Sequence, residues 1–329
     1  MNQKRIFFID YIKAFSISLI IISHCIGWWQ VNDVVNKAIL SVHVPIFFIA
    51  VGVLKGYLQK EETFVPFVQK RAHQLLIPYF WFSIYNSAVK LSMMALGVGG
   101  AITTAALKDE AIEFFITGNG TVWFLMILFL AESLFVYVKS LKKDWITIGL
   151  AFILVYIPFM LSNEHPILIV INRFFSAYFY IVVGYYSVNL LKNKMVSAVC
   201  SIFLLMLWLW LVYNASWEYS FFGGHFSNIM ATVPTILCGS LGFIAMFSLV
   251  SCSLSAIEYV GRNSLILMLV HPTFLLIGIY GVYPIFVHQL NLHGDCQFAI
   301  FSLALLLVVY MFSLLCIPVI HKYFPFVIG

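Results

Sequence analysis

Charged residues are scarce in this 329-residue sequence. Asp, Glu, Lys and Arg make up only 9% of it, whereas an ordinary soluble domain carries about 25%. Hydrophobic residues make up 63%, more than the interior of a soluble fold of this length can bury. Aromatic residues reach 17%, which suits helices packed in lipid with Trp and Tyr at the interfaces. The composition predicts an integral membrane protein.

Motifs of several other protein classes are missing. The six cysteines include no CxxC pair and lie mostly in apolar runs, so neither a disulfide framework nor a bound metal is expected. We find no GxxxxGK[ST] phosphate loop and no RNA-binding aromatic motif, and we expect no nucleic-acid partner. The first apolar run contains Asp10 and Lys13 and lacks a small-residue cleavage site, so it predicts a retained helix rather than a removed signal peptide.

Apolar segments of about 20 residues, the length that crosses the hydrocarbon core, recur along the chain. We predict ten spans, near residues 6–28, 38–57, 74–96, 121–139, 145–162, 167–188, 195–214, 226–250, 263–287 and 297–320. Ten crossings put both termini on one side of the bilayer. No loop is long enough for a separate domain, so the prediction is one all-α domain over residues 1–329, a polytopic bundle of transmembrane helices.

The placement of Lys and Arg predicts the orientation, because cytoplasmic loops carry an excess of both. With a cytoplasmic N-terminus, thirteen of them fall in inner segments and three, Lys37, Lys108 and Arg173, in outer segments. Both termini are therefore predicted to be cytoplasmic. The longest outer loop, about 97–120, contains the stretch AALKDEAIEFFITG, which we predict to lie along the interface.

The first predicted helix carries three ionisable residues, Asp10, Lys13 and His24. Charged groups inside a span need a partner or a function, and at 100° per residue all three share one face. One interpretation is an interfacial Asp10–Lys13 pair with His24 bonded to a carbonyl. The other is a water-accessible cleft in which His24 transfers protons. Asp10 lies about 21 Å from His24 by helical rise, so it is expected to hold Lys13 and not to orient His24.

A second polar cluster occurs in FVQKRAHQLLIPYF, in a predicted loop near residues 60–74. Its Lys70 and Arg71 are either ordinary cytoplasmic anchors or a phosphate-binding patch. Glu132 within the fourth span is a further candidate, as are the Gly261–Ser264 turn and His271 in the late part of the chain.

Together these segments resemble the bacterial acyltransferase-3 family of membrane acyltransferases. The resemblance runs from about residue 5 to 275 and rests on motifs in the expected order: RIFFIDYIKAFSISLIIISH, HVPIFFIAVGVLKGYL, FVQKRAHQLLIPYF, NGTVWFL and VGRNSLILMLVHP. The fucose O-acetylase-like members are the most similar in character. The resemblance implies O-acylation, usually acetylation, of a cell-envelope carbohydrate by a protein of the bacterial inner membrane. Acetyl-CoA is then supplied from the cytoplasm, and the modified glycan is on the outer side.

The resemblance also implies roles for particular residues. His24 falls on the position of the catalytic histidine, and Lys13 stands where the family usually has Arg. Arg71 matches the first Arg of an RxxR pair, and Gln74 replaces the second. The SGF-like element of the second helix is here Val51-Gly52-Val53.

The mechanism expected from this reading places the CoA phosphates near Lys13, Lys70 and Arg71, with Asp10 and Gln74 in support. Lys13 lies about 16 Å from His24 by helical rise, a gap comparable to an extended pantetheine arm. The residues expected on the acceptor side, or in support of the site, are Trp123, Glu132, Asn263, Ser264 and His271. Whether His24 acts only as a base or carries the acetyl group stays open, as do the acceptor sugar, the acyl chain length and the oligomeric state.

Two other function classes fit parts of the sequence. A transporter or flippase of an envelope precursor would also use intramembrane charge, prolines and a glycine-broken loop. It would bind near the midplane without consuming a thioester. A membrane sensor or ligand-binding domain would need the same first helix without turnover.

Overall fold

The computed structural model describes residues 7–26, 33–97, 100–161, 164–216, 219–283 and 295–328, without the side chains of His225 and of residues 295–298. The α-helices in these ranges are α1 (Phe7–Ile26), α2 (Asp33–Val42), α3 (Pro45–Leu58), α4 (Phe64–Ala95), α5 (Thr104–Ile112), α6 (Trp123–Ser140), α7 (Asp144–Tyr156), α8 (Pro166–Lys192), α9 (Lys194–Asn214), α10 (Ile229–Ser248), α11 (Ser255–Arg262), α12 (Ser264–Leu276) and α13 (Asp295–Tyr323). Two π-helical segments, Glu113–Thr117 and Ile277–Val282, continue α5 and α12.

Eight helical segments of the described residues are long and apolar enough to cross a membrane. They are Phe7–Ile26, Asp33–Leu58, Trp123–Ser140, Pro166–Lys192, Lys194–Asn214, Ile229–Ser248, Ser264–Val282 and Ala299–Tyr323. Each coincides with a predicted span, which confirms the all-α polytopic membrane fold. The other two predicted spans are also helical, although α4 carries several polar residues and Asp144–Phe159 is short. The count of ten and the cytoplasmic termini stay predictions.

The surfaces of α9 and α13 explain why the chain needs lipid as its solvent. Large apolar side chains stand exposed on both helices, among them Trp210 at 60% and Leu307 at 67% of their accessible surface. Water would leave such continuous apolar faces prone to aggregation. In a bilayer the same faces meet hydrocarbon, as expected of spanning helices.

Close contacts divide the chain into two compact units. The first unit comprises Met1–Leu19, Asp33–Lys70 and Ile127–Ser264, and the second comprises Ile20–Asn32, Arg71–Met126 and Leu265–Gly329. Each unit is described by itself below.

In the first unit, α3 and α8 pack backbone to backbone through glycines. A Cβ atom at Gly52 would lie 2.0 Å from the carbonyl oxygen of Ile181, and one at Gly184 would lie 2.1 Å from that of Ile49. Small residues at a helix crossing allow such close approach in membranes, where van der Waals packing drives association. Gly52, the centre of the Val51-Gly52-Val53 element, is thus a packing position.

The first half of α1 is held by α11 and the segment that precedes it. A Cβ atom at Gly261 would lie 2.0 Å from the carbonyl oxygen of Asp10, so α11 rests directly on the α1 backbone. The hydroxyl of Tyr11 donates to the carbonyl of Cys252 at 3.0 Å and accepts from the N–H of Leu254 at 2.7 Å.

Arg173 of α8, one of the three charges predicted in outer segments, lies next to a short antiparallel hairpin, Tyr219–Ser220 with His225–Phe226. Its guanidinium is 2% exposed, donates to the carbonyl of Phe222 and lies 5.1 Å from the centre of that ring. The neighbouring Asn172 donates to the carbonyl of Gly224 at 3.1 Å. These contacts fix the hairpin to α8.

In the second unit, α12 packs against α13. A Cβ atom at Gly278 would lie 2.2 Å from Cδ1 of Leu305, and the rings of Phe274 and Phe312 stack with centroids 5.5 Å apart. The π-helical segment that contains Gly278 therefore approaches α13 closely.

One local prediction is wrong. The predicted loop near 60–74 is helical from Phe64 onward, so the start of α4 lies ten residues before the predicted span 74–96. The N–H of Phe67 bonds the carbonyl of Thr63 at 3.1 Å, and Pro66 is tolerated because first-turn N–H groups lack helical partners anyway. The ten-span topology also predicts that residues 288–295 face outward, and residues 288–294 of this stretch lie outside the described residues.

Candidate active site

His24 occupies the last turn of α1, and its side chain is exposed. On the same continuous helix Asp10 is nearly buried and Lys13 is half-buried. Because α1 runs without a break from Phe7 to Ile26, the predicted helical spacing between Lys13 and His24 applies to it. An accessible imidazole at the end of a largely apolar helix is available for chemistry.

His271, on α12, lies next to His24. The two ring centroids lie 5.4 Å apart with the ring planes 37° from parallel. His271 is completely buried, and its Nδ1 lies 2.9 Å from the carbonyl oxygen of Leu267. Its Nε2 has no hydrogen-bond partner within the described ranges. The structure thus brings together the predicted catalytic residue and one predicted supporting residue.

The backbone of α12 near His271 accepts a hydrogen bond from a distant side chain. Pro272 follows His271 inside the helix, and proline has no N–H to offer the carbonyl four residues earlier. That carbonyl, of Met268, instead accepts a hydrogen bond of 2.7 Å from the hydroxyl of Thr121. This hydrogen bond therefore connects the NGTVWFL motif with the VGRNSLILMLVHP motif, which are far apart in the sequence.

The turn that contains Thr121 is held by a buried polar network. The carboxylate of Glu110, 6% exposed, accepts from Ser87 at 2.6 Å and also from the amide of Asn119. Lys90 lies 2.7 Å from the other oxygen of Glu110 and 3.0 Å from Glu113. The stretch predicted to lie along the interface thus buries one of its acids against α4 and the turn.

Two glycines shape the same turn. Gly118 and Gly120 have φ angles of +84° and +57°, a region that L side chains rarely adopt. A Cβ atom at Gly118 would lie 2.4 Å from Cα of Trp123. Trp123 itself is 6% exposed, so this residue, predicted on the acceptor side, packs within the turn.

The basic residues of the second cluster, Lys70 and Arg71, lie within α4. Arg71 donates from Nη1 to the side-chain oxygen of Gln74 at 2.9 Å. Gln74, which replaces the second Arg of the RxxR pair, thus supports the guanidinium of the first. Lys70 is exposed next to them in sequence.

Glu132, a predicted supporting residue, has a partner in the first unit. Its carboxylate is 2% exposed and lies 3.7 Å from Nζ of Lys55, which also contacts Glu62 at 2.9 Å and the ring of Phe67 at 4.2 Å. Lys55 also lines a cleft of about 810 Å³. A buried carboxylate paired in this way is accounted for by charge compensation.

The predicted Gly261–Ser264 turn separates α11 from α12. The amide of Asn263 donates to the carbonyl of Tyr259 at 2.8 Å, and Arg262 contacts Glu258 at 2.5 Å. Ser264, 8% exposed, opens α12. In the structure these residues close one helix and begin the next.

The candidate residues are divided between the two units. His24, Arg71, Gln74, Trp123 and His271 belong to the second unit, and Asp10, Lys13, Lys70, Glu132, Asn263 and Ser264 to the first. Within the described residues, no group of three or more His, Cys, Asp or Glu side chains is placed to hold a metal ion.

Sequence reasoning missed the residues that position the site, among them Thr121, Lys55 and Glu110. In the sequence Lys55 is one of the thirteen Lys and Arg of the predicted inner segments, although a lysine and an acid inside predicted spans suggest a pair. Pro272 indicates from the sequence that the carbonyl of Met268 lacks its helical N–H partner. It does not indicate that Thr121 donates the replacing hydrogen bond.

Comparison with known proteins agrees with this architecture. The sequence profile of the acyltransferase-3 family, described as an acyltransferase domain, matches residues 6–325. Nodulation protein NolL of Sinorhizobium fredii is 31% identical over 172 residues, which cover 49% of this chain and 44% of the relative. NolL of Mesorhizobium japonicum is 28% identical over 174 residues, covering 49% and 43%. No solved structure matches.

The spanning helices and the exposed histidine at the end of the first of them define a multi-pass membrane protein with a candidate catalytic site. Because the family profile covers nearly the whole chain, the protein belongs to the acyltransferase-3 family. The chain spans less than half the length of the curated relatives it matches.

Proposed function

We propose that this protein is an acyl-CoA-dependent O-acetyltransferase of the bacterial inner membrane. It moves an acetyl group from cytoplasmic acetyl-CoA to a hydroxyl of a cell-envelope or exopolysaccharide sugar. The observation that carries the proposal is the exposed His24 imidazole, 5.4 Å from a second, buried imidazole, in a chain of the acyltransferase family.

His24 has the chemistry that transfer from a thioester to an alcohol requires. A sugar hydroxyl is a weak nucleophile until a base takes its proton, and a neutral imidazole does this near pH 7. His24 accepts the hydroxyl proton as the sugar oxygen bonds to the acetyl carbonyl. It returns that proton to the thiolate released when the C–S bond breaks, so the imidazole ends the cycle unchanged.

The donor side of the proposal rests on the basic residues. Arg71 presents a planar guanidinium that can bind a phosphate through two N–H groups, and its contact with Gln74 holds it in place. Lys70 and Lys13 supply further charge, and Asp10 supports Lys13. Thirteen Lys and Arg in predicted inner segments favour the cytoplasm as the side on which these residues meet the CoA phosphates.

The acceptor side is proposed at the opposite end of α1, where His24 lies. Trp123, Glu132, Asn263, Ser264 and His271 are the supporting candidates. Among them, His271 contacts the ring of His24, while Trp123 packs against Gly118.

Two measurements test the proposal. The first is mass spectrometry of envelope glycans from cells with and without the gene, in which the mass increment of one acetyl group should be lost with the gene. The second is transfer of radiolabelled acetyl from acetyl-CoA by the purified full chain in nanodiscs, with an envelope glycan extract as acceptor. Glycan movement across proteoliposomes without thioester consumption would identify a transporter and overturn the proposal.

A further inference from the structure

The protonation pattern of His271 follows from its contacts. Nδ1 lies 2.9 Å from the carbonyl oxygen of Leu267, and a carbonyl oxygen can only accept, so Nδ1 carries the hydrogen. In a neutral imidazole one nitrogen is the donor and the other the acceptor. Nε2 of His271 therefore presents a lone pair.

That lone pair is buried, and it lacks a hydrogen-bond partner among the described residues. His271 has no exposed surface at all, so bulk water does not reach it. Buried polar atoms are nearly always hydrogen-bonded, and one that is not calls for an explanation. The nearby imidazole of His24 can provide the missing hydrogen-bond donor.

The structure shows no hydrogen bond between the two rings, but their separation allows one to form once the His24 side chain turns. Two imidazoles joined by one in-line N–H···N bond of about 3 Å have centroids about 5.4 Å apart, since each nitrogen lies about 1.2 Å from its ring centre. The observed separation is 5.4 Å with planes 37° apart. His24 also has a ring N–H to donate in its neutral form.

We propose that His271 is a positioning residue whose Nε2 accepts a hydrogen bond from the ring N–H of His24. This bond fixes the tautomer of His24 and directs its other nitrogen, with the free lone pair, toward the exposed side of the ring. The inference rests on the proposed function of His24 as the base. A base that is itself oriented by a third group is the general arrangement of activated nucleophile sites.

The contact also acts during the reaction. When His24 takes the acceptor proton it becomes a cation with a donor on both nitrogens, and its bond to Nε2 of His271 becomes charge-assisted and stronger. His271 remains behind His24 because it is fully buried, so its effect is transmitted through His24 and not through the substrate.

Two substitutions of His271 separate the acceptor from the structural contact. In His271→Gln the side-chain amide reaches the position of Nε2 and can accept from His24. In His271→Asn the amide matches Nδ1 and keeps the bond to Leu267, but the acceptor is lost. A merely structural histidine would be replaced better by Asn, and a positioning histidine better by Gln.

Kinetics of acetyl transfer in nanodiscs provide the first readout. We expect His271→Asn to lower kcat by about 10- to 100-fold, as loss of an orienting partner does, with both KM values changed less than about threefold. His271→Gln should recover most of kcat. If Asn matches or exceeds Gln, or if both lose activity in step with lowered thermal stability, the proposal is wrong.

The second readout does not need activity. In protein labelled with ¹⁵N-histidine, the His24 signals are identified by their loss in His24→Asn. We expect one His24 tautomer in the parent and in His271→Gln, and averaging of the two tautomers in His271→Asn. Unchanged His24 signals in His271→Asn would overturn the proposal, whereas His271-dependent signals in a protein without acetyl transfer would contradict the proposed function alone.

Discussion

The hydroxyl of Thr121 donates a 2.7 Å hydrogen bond to the carbonyl of Met268, the carbonyl that Pro272 leaves without a helical partner. The bond joins the turn before α6 to the helix that carries His271. Gly118 and Gly120 adopt positive φ in this turn, and the buried Glu110 accepts a hydrogen bond from Asn119 of the turn. This contact holds the backbone of α12 against the turn, three residues before His271.

Removal of the Thr121 hydroxyl tests this relationship. Thr121→Val keeps the shape of the side chain but leaves the Met268 carbonyl without this donor, which should reduce the free energy of unfolding by about 1–3 kcal/mol. We also expect kcat to fall while KM changes little. Thermal unfolding in detergent and acetyl-transfer kinetics measure the two effects.

Thr121→Ser is the matched control, since it retains the hydroxyl and should behave nearly as the parent. Equal stability and activity of Thr121→Val and the parent would show that the bond to Met268 has no positioning role.

The glycine contact between α3 and α8 predicts a stability effect. Gly52→Ala places a methyl group 2.0 Å from the carbonyl oxygen of Ile181, so the helices must separate. Because backbone and not a flexible side chain must give way, we expect a loss of about 3 kcal/mol or more in the free energy of unfolding, at the upper end of overpacking effects.

Gly149→Ala on α7 is the control, because nothing lies within 4 Å of the added methyl. Its thermal midpoint should equal or exceed that of the parent, since alanine favours helix. Similar midpoints for the Gly52 and Gly149 variants would refute the close packing.

The spanning segments can be predicted from the sequence, whereas the tertiary contacts between helices cannot. Apolar length is a local property, so the helix ends near Phe7, Asn214 and Ser248 follow from composition alone. The pairing of His24 with His271 depends on tertiary packing, and sequence supplied each histidine but not their contact. The early start of α4 at Phe64 was missed because its polar first turns read as a loop.

The predicted orientation can be tested by cysteine accessibility. Lys142, whose side chain is 79% exposed, and Lys322 should face the cytoplasm, and residues 108–113 should face outward, because of the Lys and Arg distribution. Single cysteines are placed in a Cys-free chain and labelled in intact cells with a membrane-impermeant maleimide. Labelling of position 142 from outside would refute the ten-span topology.

The proposed donor patch predicts an effect on one substrate. Charge-assisted contacts to phosphate contribute about 1.5–3 kcal/mol each, so Arg71→Ala should raise the KM for acetyl-CoA about tenfold or more. The KM for the acceptor should change much less. Lys322→Ala, an exposed charge near the C-terminus, is the control. If Arg71→Ala leaves acetyl-CoA kinetics unchanged, Arg71 is only a topology anchor.

His24 is the residue on which the proposed chemistry depends. If it transfers the proton, His24→Asn should lower kcat by about 10² to 10⁴. The chain should still insert and fold, since the side chain is exposed at the end of α1 and an amide replaces the imidazole without a charge.

His321→Asn, also exposed, is the matched control and should keep full activity. Acetylation of envelope glycans, kcat in nanodiscs and the thermal midpoint are measured for both variants. A lowered thermal midpoint in step with lost activity would indicate a structural role instead. Near-normal acetylation by a well-folded His24→Asn protein would exclude His24 as the catalytic base and remove the main reason to prefer an enzyme over a transporter.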